Sequence, residues 1–133
     1  MSLNEEERAI LVAREYEKAQ QFCKEAIGNA ELGFWNVVAN RLYYAPFHAV
    51  SAMLIKDHHQ VGTHKGVVAL YGQHYVKTGI MTQAEGRIYS QLQSMREKAD
   101  YNCVFETARE EIEPMIVPTK QLIDKVGVLI GQQ

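Results

Sequence analysis

The sequence predicts an all-α fold, an up-and-down antiparallel bundle of four to five helices. Apolar residues recur at spacings of three and four along most of the chain, which is the period of a helix that buries one face. No segment shows the alternation of apolar and polar residues that predicts a β-strand. The connections between helical segments are short, which favours antiparallel neighbours. We therefore expect one helical domain over residues 1–133, a length that can bury a core without disulfides or metals.

The first predicted helix runs from about Asn4 to Ile27. Asn4 can cap it, and three glutamates follow in the first turn, where they complement the positive end of the helix dipole. We expect the helix to end at Gly28-Asn29, because glycine readily adopts the left-handed conformation that terminates helices. Its inward stripe comprises Ala9, Val12, Tyr16, Ala19, Cys23 and Ala26.

The second predicted helix, from about Glu31 to Asp57, is the most apolar part of the chain. Apolar residues cover nearly its whole circumference, which is typical of a helix packed on most sides. A proline at position 46 removes one backbone hydrogen bond and clashes with the carbonyl four residues earlier. We therefore expect a kink or a local bulge between Arg41 and His48.

The third and fourth predicted helices begin at recognisable caps. Thr63 is placed to cap a helix from about His64 to Thr78, and Gly79 is placed to end it. Residues 82–85, Thr-Gln-Ala-Glu, form a capping box for a helix that extends to about residue 100.

The fifth predicted helix contains two prolines. A second capping box, Thr107 to Glu110, is expected to open it. The apolar spacing of three and four continues past Pro114 and Pro118, which share the opposite face. We therefore expect one bent helix rather than two.

Composition limits the classes of function. The net charge is −2, so any binding of nucleic acid has to be local. The two cysteines are too few for a disulfide framework and are typical of reduced thiols. The N-terminus is acidic and does not resemble a signal peptide, and no apolar run reaches the roughly 18 residues of a membrane span. We expect a cytoplasmic protein that does not insert into membranes.

Arg41 and His48 are the residues most in need of explanation. They are seven positions apart, so in a helix they lie within ~20° of one direction and ~10 Å apart along the axis, with Tyr44 between them. Arginine can hold a phosphate in bidentate fashion, and histidine can move the proton of an attacking or leaving hydroxyl. The alternative is structural: the arginine pairs with a carboxylate of another helix, and the histidine bonds a tyrosine or a carbonyl.

Four segments resemble one known family. Residues 41–48 read RLYYAPFH, which is similar to the R-x-Y-Y-A-x-F-H signature of HEPN domains (higher eukaryote and prokaryote nucleotide-binding). Residues 62–67 resemble the G-x-H-x-G-V segment of the family, and residues 75–79 and 96–101 resemble its later segments. The resemblance covers roughly residues 30–102, in the family order and spacing.

This resemblance implies a four-helix bundle with an extra helix, usually a homodimer. Many relatives are metal-independent ribonucleases whose R-x(4–6)-H motif faces its symmetry mate across a dimer cleft, and many are toxins encoded beside a minimal nucleotidyltransferase antitoxin. Carried onto this chain, Arg41 is the phosphate-binding residue and His48 is the acid/base, and neither a cofactor nor a metal nor DNA is expected. The chain differs from its relatives at Pro46, where they have a small residue. It also differs at Val50, where the toxins have a tyrosine.

Four neighbours have candidate supporting or structural roles: Asn40, Tyr44, Asp100 and Tyr101. Asp100 could orient His48 by fixing its tautomer. The interpretation that we favour is that Asp100 neutralises Arg41 or Arg96 between helices.

The start of the third helix is a weaker candidate site. His64 and Lys65 lie where backbone N–H groups could meet a phosphate, as they do at any helix start. Residues 57–59 and His64 form a polar cluster, for which we favour a solvated helix end over a metal site.

The sequence thus supports two hypotheses. The first is a toxin-type endoribonuclease that cleaves RNA with Arg41 and His48 at a dimer cleft. The second is a non-catalytic HEPN interaction module that binds a nucleotidyltransferase partner or a nucleotide.

Overall fold

The computed structural model describes residues 3–101 and 106–131, except for the side chain at position 100. These residues form helices and contain no strand, which confirms the predicted all-α class. The helices are α1 (Glu5–Glu31), α2 (Trp35–Lys56), α3 (His64–Tyr71), α4 (Gln83–Tyr101), α5 (Arg109–Ile112) and α6 (Ile116–Leu129). A π-helical turn (Gly72–Val76) prolongs α3, and a 3-10 turn (Glu113–Met115) joins α5 to α6.

Helix α2 is the centre of the bundle, as its all-round apolar sequence predicts. It contacts α1, α3, α4, α5 and α6. Twelve of its residues are buried, and Leu42 and Tyr43 are completely inaccessible to solvent. The contact between α1 and α2 is the most extensive in the molecule, because only residues 32–34 connect these two helices. The side chains of α2 that face α1 therefore lie between two long, closely packed helices.

Helix α1 begins as predicted but ends later. The Asn4 side chain accepts a hydrogen bond from the Glu7 backbone N–H at 2.8 Å, and the Glu7 carboxylate accepts one from the Asn4 backbone N–H at 2.9 Å. The predicted end at Gly28-Asn29 is wrong, since the helix continues to Glu31. One interior glycine costs only about 1 kcal/mol, which the packing of α1 on α2 outweighs. The left-handed residue that follows the helix is Gly33, with φ of 77°.

Pro46 is accommodated inside α2. The α-helix is continuous from Trp35 to Lys56, which contradicts a bulge near Pro46, whereas the alternative that we expected, a kink, stays a prediction. Pro46 is buried, and neighbours on most sides hold the helix in place where one backbone hydrogen bond is missing. The π-helical turn lies instead at Gly72–Val76, within the segment predicted as the end of the third helix.

The caps of α3 and α4 are confirmed. The Gly66 backbone N–H donates to the Thr63 hydroxyl at 2.9 Å, and Gly79 has φ of 85°. Thr82 and Glu85 form the predicted capping box, with hydrogen bonds of 2.7 and 3.1 Å.

The C-terminal helical run differs from the prediction at its start. Ala108 is the N-cap of α5 and makes no side-chain bond, so the capping box predicted from Thr107 is wrong. Thr107 is buried, and its backbone N–H donates to the Asn36 side chain at 2.7 Å. The run from α5 to α6 has no loop, but the 3-10 turn that contains Pro114 interrupts it, because proline cannot donate the next α-helical hydrogen bond.

Within the described residues, every helix is too short or too polar to cross a bilayer.

Candidate functional site

Arg41, Tyr44 and His48 lie on the face of α2 that meets α1. The Arg41 side chain is 34% exposed and the His48 side chain is 14% exposed. Tyr44 between them is half-buried. Both side chains are thus partly accessible to solvent. Their chemistry depends on the residues of α1 that contact them.

Arg41 is held by three neighbours. Its Nε atom lies 2.6 Å from a carboxylate oxygen of Glu25. The Nε–H bond does not point at this oxygen, so the contact is an ion pair rather than a hydrogen bond. The Nη1 group donates to the Asn40 side chain at 2.6 Å, and the guanidinium lies over the Phe22 ring, 5.2 Å from its centroid. The side chain is therefore ordered even though a third of it is exposed.

His48 is anchored through one ring nitrogen. Its Nδ1 lies 2.6 Å from the Glu15 carboxylate, and its ring stacks on Phe22 with centroids 5.4 Å apart. Because a carboxylate only accepts hydrogen bonds, Nδ1 carries the hydrogen in this pair. Nε2 is then the nitrogen that can exchange a proton with a substrate. This is the arrangement in which a carboxylate fixes the tautomer of a catalytic imidazole.

Tyr44 is the centre of an aromatic cluster around the pair. Its ring centroid lies 5.9 Å from Phe22, 6.4 Å from His48 and 5.9 Å from His64. The guanidinium of Arg96, from α4, lies 5.4 Å from the same ring. The site therefore combines two arginines and two histidines with aromatic rings, although the net charge of the chain is negative.

His64 belongs to this site although it begins a different helix. Its Nδ1 lies 2.7 Å from the hydroxyl of the fully buried Tyr43, and its ring stacks on Phe47 at 4.3 Å. Burial lowers the pKa of His64 below its usual 6.5, and the nearby Arg96 and His48 lower it further. His64 is therefore a neutral imidazole at pH 7.

The remaining candidates lie apart from the pair. Lys65 is exposed in the first turn of α3, and Tyr101 is 89% exposed at the end of α4. The side chain of Asp100 lies outside the described residues, so its expected contact with Arg41 or Arg96 stays a prediction.

The polar cluster at the end of α2 disperses in three dimensions. Asp57 accepts a hydrogen bond from Tyr75 at 2.6 Å, and His59 stacks on His74 at 4.1 Å. His58 lies 3.8 Å from Glu5. In the part of the chain that the structure describes, no three histidine, cysteine or acidic side chains are grouped to hold a metal ion.

Sequence reasoning missed the partners from α1, which are Glu15, Phe22 and Glu25. The turn between α1 and α2 contains a signal that could have found Glu25. In an antiparallel hairpin, residues equidistant from the turn face each other, and Glu25 and Arg41 are each eight positions from Gly33. Arg96 was named only as a candidate partner of Asp100, and its contact with Tyr44 has no signal of this kind.

The fold and the site define a class, namely small helical bundles that present an arginine and a histidine two turns apart on the central helix. The chain belongs to the HEPN domain family, whose sequence model matches residues 12–129.

Three relatives are informative. A UPF0332 protein of Thermotoga maritima is 30% identical over 132 residues, which is 96% of each chain. A protein of Methanocaldococcus jannaschii named "Putative toxin" is 28% identical over 119 residues, covering 86% of this chain and 88% of the relative. A UPF0332 protein of Archaeoglobus fulgidus is 27% identical over 93 residues, covering 70% of this chain and 74% of the relative.

Proposed function

We propose that this HEPN-domain protein is a metal-independent endoribonuclease of the toxin–antitoxin type. Arg41 binds the scissile phosphate, and His48 moves the proton of the attacking or leaving hydroxyl. The observation that carries the proposal is the geometry of the pair. The two side chains share one face of a rigid helix, and Glu15 holds Nδ1 of His48 at 2.6 Å, which leaves Nε2 for the substrate.

The chemistry asked of this pair is modest. In RNA the 2′-hydroxyl is already positioned beside the phosphorus, so the nucleophile is part of the substrate and needs no metal to bring it there. An arginine stabilises the charge that develops on the phosphate, and one or two imidazoles handle the protons. The products are a 2′,3′-cyclic phosphate and a 5′-hydroxyl.

Glu25 does not prevent Arg41 from binding phosphate. Both side chains of this ion pair are 34% exposed, and pairs of this kind contribute only about 0–1 kcal/mol. The contact also lacks hydrogen-bond geometry. A phosphate that accepts two well-directed, charge-assisted hydrogen bonds from the guanidinium forms a stronger contact and displaces the carboxylate.

The proposal includes a homodimer with the pairs of two chains in one cleft. Exposed apolar side chains lie at the turn between α1 and α2 and in the first turn of α2: Leu32 is 68% exposed, Phe34 56% and Val37 37%. Val37 is four residues before Arg41, so both lie on the same side of α2. Covering this apolar surface with a second copy places two arginine–histidine pairs near each other.

The toxin role rests on relatives named "Putative toxin". A minimal nucleotidyltransferase is the antitoxin that we propose as partner, and cytoplasmic RNA is the substrate. Asn40 supports Arg41 through its hydrogen bond of 2.6 Å, and Tyr44 offers a ring against which a base can stack. Lys65 is proposed as a weaker phosphate contact. Asp100 is proposed to neutralise Arg41 or Arg96 between helices. Tyr101 is proposed as a supporting or structural residue.

The test is cleavage of structured and unstructured RNA by the purified protein in the presence of EDTA. We expect His48→Asn and Arg41→Lys to reduce cleavage by at least 100-fold. Asparagine keeps a donor for Glu15 but cannot titrate, and lysine keeps the charge of Arg41 but not its bidentate fork. His59→Asn, a histidine substitution outside the site, is the matched control and should cleave like the wild type.

Two results would refute the proposal. One is a wild type that cleaves no RNA at any ionic strength. The other is His48→Asn with the same rate as the wild type while both proteins show the same melting curve.

A second candidate function is a non-catalytic interaction module that binds a nucleotidyltransferase partner or a nucleotide. The observation that favours it is that both side chains of the pair bond glutamates of another helix. Glu15 and Glu25 pair with His48 and Arg41 between α1 and α2, so the pair also connects two helices. This candidate predicts that Arg41→Ala and His48→Ala lower the melting temperature, that RNA stays intact, and that a copurified partner or nucleotide is recovered.

A further inference from the structure

We propose that His64 is a second acid–base residue of this site, so that one chain supplies both proton-transfer groups, His48 and His64. This inference rests on the proposed ribonuclease function and deepens it. Cleavage of RNA by its own 2′-hydroxyl needs two proton transfers, one from the nucleophile and one to the leaving oxygen. The first observation is therefore the presence of two imidazoles at one site.

The two imidazoles are neighbours. His48 and His64 both contact the ring of Phe47, with centroid distances of 5.1 and 4.3 Å, and both lie near Tyr44, at 6.4 and 5.9 Å. They approach the same two aromatic rings from different elements, since His48 belongs to α2 and His64 begins α3. We therefore expect a substrate phosphate bound by Arg41 to lie at the surface that both imidazole rings share.

Each imidazole is anchored in the same way. Nδ1 of His48 is bonded to Glu15 at 2.6 Å, and Nδ1 of His64 is bonded to the hydroxyl of Tyr43 at 2.7 Å. In each ring the anchored nitrogen faces the protein, and Nε2 is the nitrogen left for a substrate. Two groups with fixed orientation and one available nitrogen each are what a concerted acid–base pair requires.

The surroundings assign the roles. The groups that face His64 are the Tyr43 hydroxyl and His48 from α2 and the Arg96 guanidinium from α4. Burial lowers the pKa of His64, and Arg96 and His48 lower it further, which keeps it in the neutral form that a base requires. The Tyr43 hydroxyl can accept from Nδ1–H, which leaves a lone pair on Nε2. His48, whose Nδ1 is held by the Glu15 carboxylate and whose Nε2 is left for the substrate, is then the acid that gives a proton to the leaving oxygen.

The step balances within the substrate and these two rings. His64 takes the proton of the 2′-hydroxyl while the bond from the 2′-oxygen to phosphorus forms. The bond from phosphorus to the 5′-oxygen breaks, and that oxygen receives the proton of His48. Arg41 holds the non-bridging oxygens throughout, and no further reactant is needed.

The roles can be separated with an RNA in which sulfur replaces the scissile 5′-oxygen, because a thiolate leaves without a proton. With normal RNA, we expect both His48→Asn and His64→Asn to lose at least 100-fold in rate. With the sulfur substrate, His48→Asn should regain most of the wild-type rate and His64→Asn should not. His59→Asn is the matched control on both substrates.

Folding is checked separately, because His64 bonds a buried hydroxyl. The asparagine side chain can take the place of Nδ1 opposite Tyr43, so we expect His64→Asn to melt within about 3 °C of the wild type. A second measurement needs no variant. The dependence of kcat/KM on pH for the wild type should show an acidic limb with a midpoint below 6.5, the value from which the pKa of His64 is lowered.

The outcomes are distinct. If His64→Asn cleaves normal RNA at the wild-type rate, or if it is the variant rescued by sulfur, the assignment of His64 as the base is wrong, whereas the proposed ribonuclease function stands. An acidic limb above pH 6.5 also counts against it. If the wild type cleaves neither substrate, the proposed function fails and this inference fails with it.

Discussion

The contact between Glu15 and His48 can be measured as a coupling free energy. The two side chains are 18% and 14% exposed, and their atoms are 2.6 Å apart. A hydrogen bond to a charged group contributes about 1.5–3 kcal/mol when buried. Partial access of water reduces this, so we expect about 1–2 kcal/mol of coupling. Glu15→Ala alone should cost about 1–3 kcal/mol, because it leaves Nδ1 of His48 without its acceptor.

The assay is a double-mutant cycle of Glu15→Ala and His48→Ala, with the free energy of unfolding taken from urea titrations at pH 7. The cycle cancels the loss of the stacking of His48 on Phe22, which both backgrounds share. Glu17→Ala, an exposed glutamate of the same helix, is the control and should cost less than about 0.5 kcal/mol with no coupling to His48.

Additive effects of Glu15→Ala and His48→Ala on the free energy of unfolding would contradict this prediction. If the coupling is below about 0.5 kcal/mol, the pair does not form in solution. Nδ1 of His48 is then not fixed, and the argument that Nε2 faces the substrate is lost.

Three further predictions concern the core. Gly127→Ala should destabilise the protein by about 2 kcal/mol or more, because the added Cβ would overlap the buried phenol of Tyr16. Gly28→Ala is the control: the space around its Cβ is open, so the substitution should be neutral or stabilising by up to about 1 kcal/mol. Calorimetry of both variants measures the difference. Tyr75→Phe should cost about 1–2 kcal/mol, since its hydroxyl donates to a carboxylate at 2.6 Å, whereas Tyr89→Phe should be neutral or stabilising because its buried hydroxyl has no hydrogen-bond partner among the described residues. Burial raises the pKa of Tyr89 above 10, so above about pH 10 the unfolded chain loses this proton while the folded protein keeps it. Stability is therefore independent of the ionisation of Tyr89 below about pH 10 and is lost at higher pH by up to about 1.4 kcal/mol per pH unit. Urea titrations between pH 9 and 11 should show that the free energy of unfolding falls less steeply with pH in Tyr89→Phe than in the wild type. The same slope in both proteins would contradict the raised pKa of Tyr89.

Local patterns predicted the elements well where one residue decides the outcome. The caps at Asn4, Thr63 and Thr82 were predicted correctly because each needs only a side-chain oxygen near the first free backbone N–H groups of the helix. The predictions failed where packing competes with local preference. Gly28 does not end α1 because the helix is held against α2. Thr107 does not cap α5 because the helix begins one residue later, after Ala108, and the Thr107 backbone N–H bonds Asn36, 71 residues away.

The candidate site follows the same division. The sequence placed Arg41, Tyr44 and His48 on one face, since this depends only on the helical period. It did not place Glu15 against His48, because that depends on how two helices are set side by side. Only Glu25 could have been found, by counting from the turn between α1 and α2.

By itself, the sequence determined the all-α class, the central position of α2, the HEPN family and the shared face of the arginine and the histidine. These follow from helical periodicity, from caps and from a motif within eight residues, all of which are local. Only the tertiary structure decided which groups surround the pair. Glu15, Glu25, His64 and Arg96 contact this site from three other helices. A contact between separate helices depends on their relative positions, which the sequence indicates here only for Glu25, through its distance from the turn.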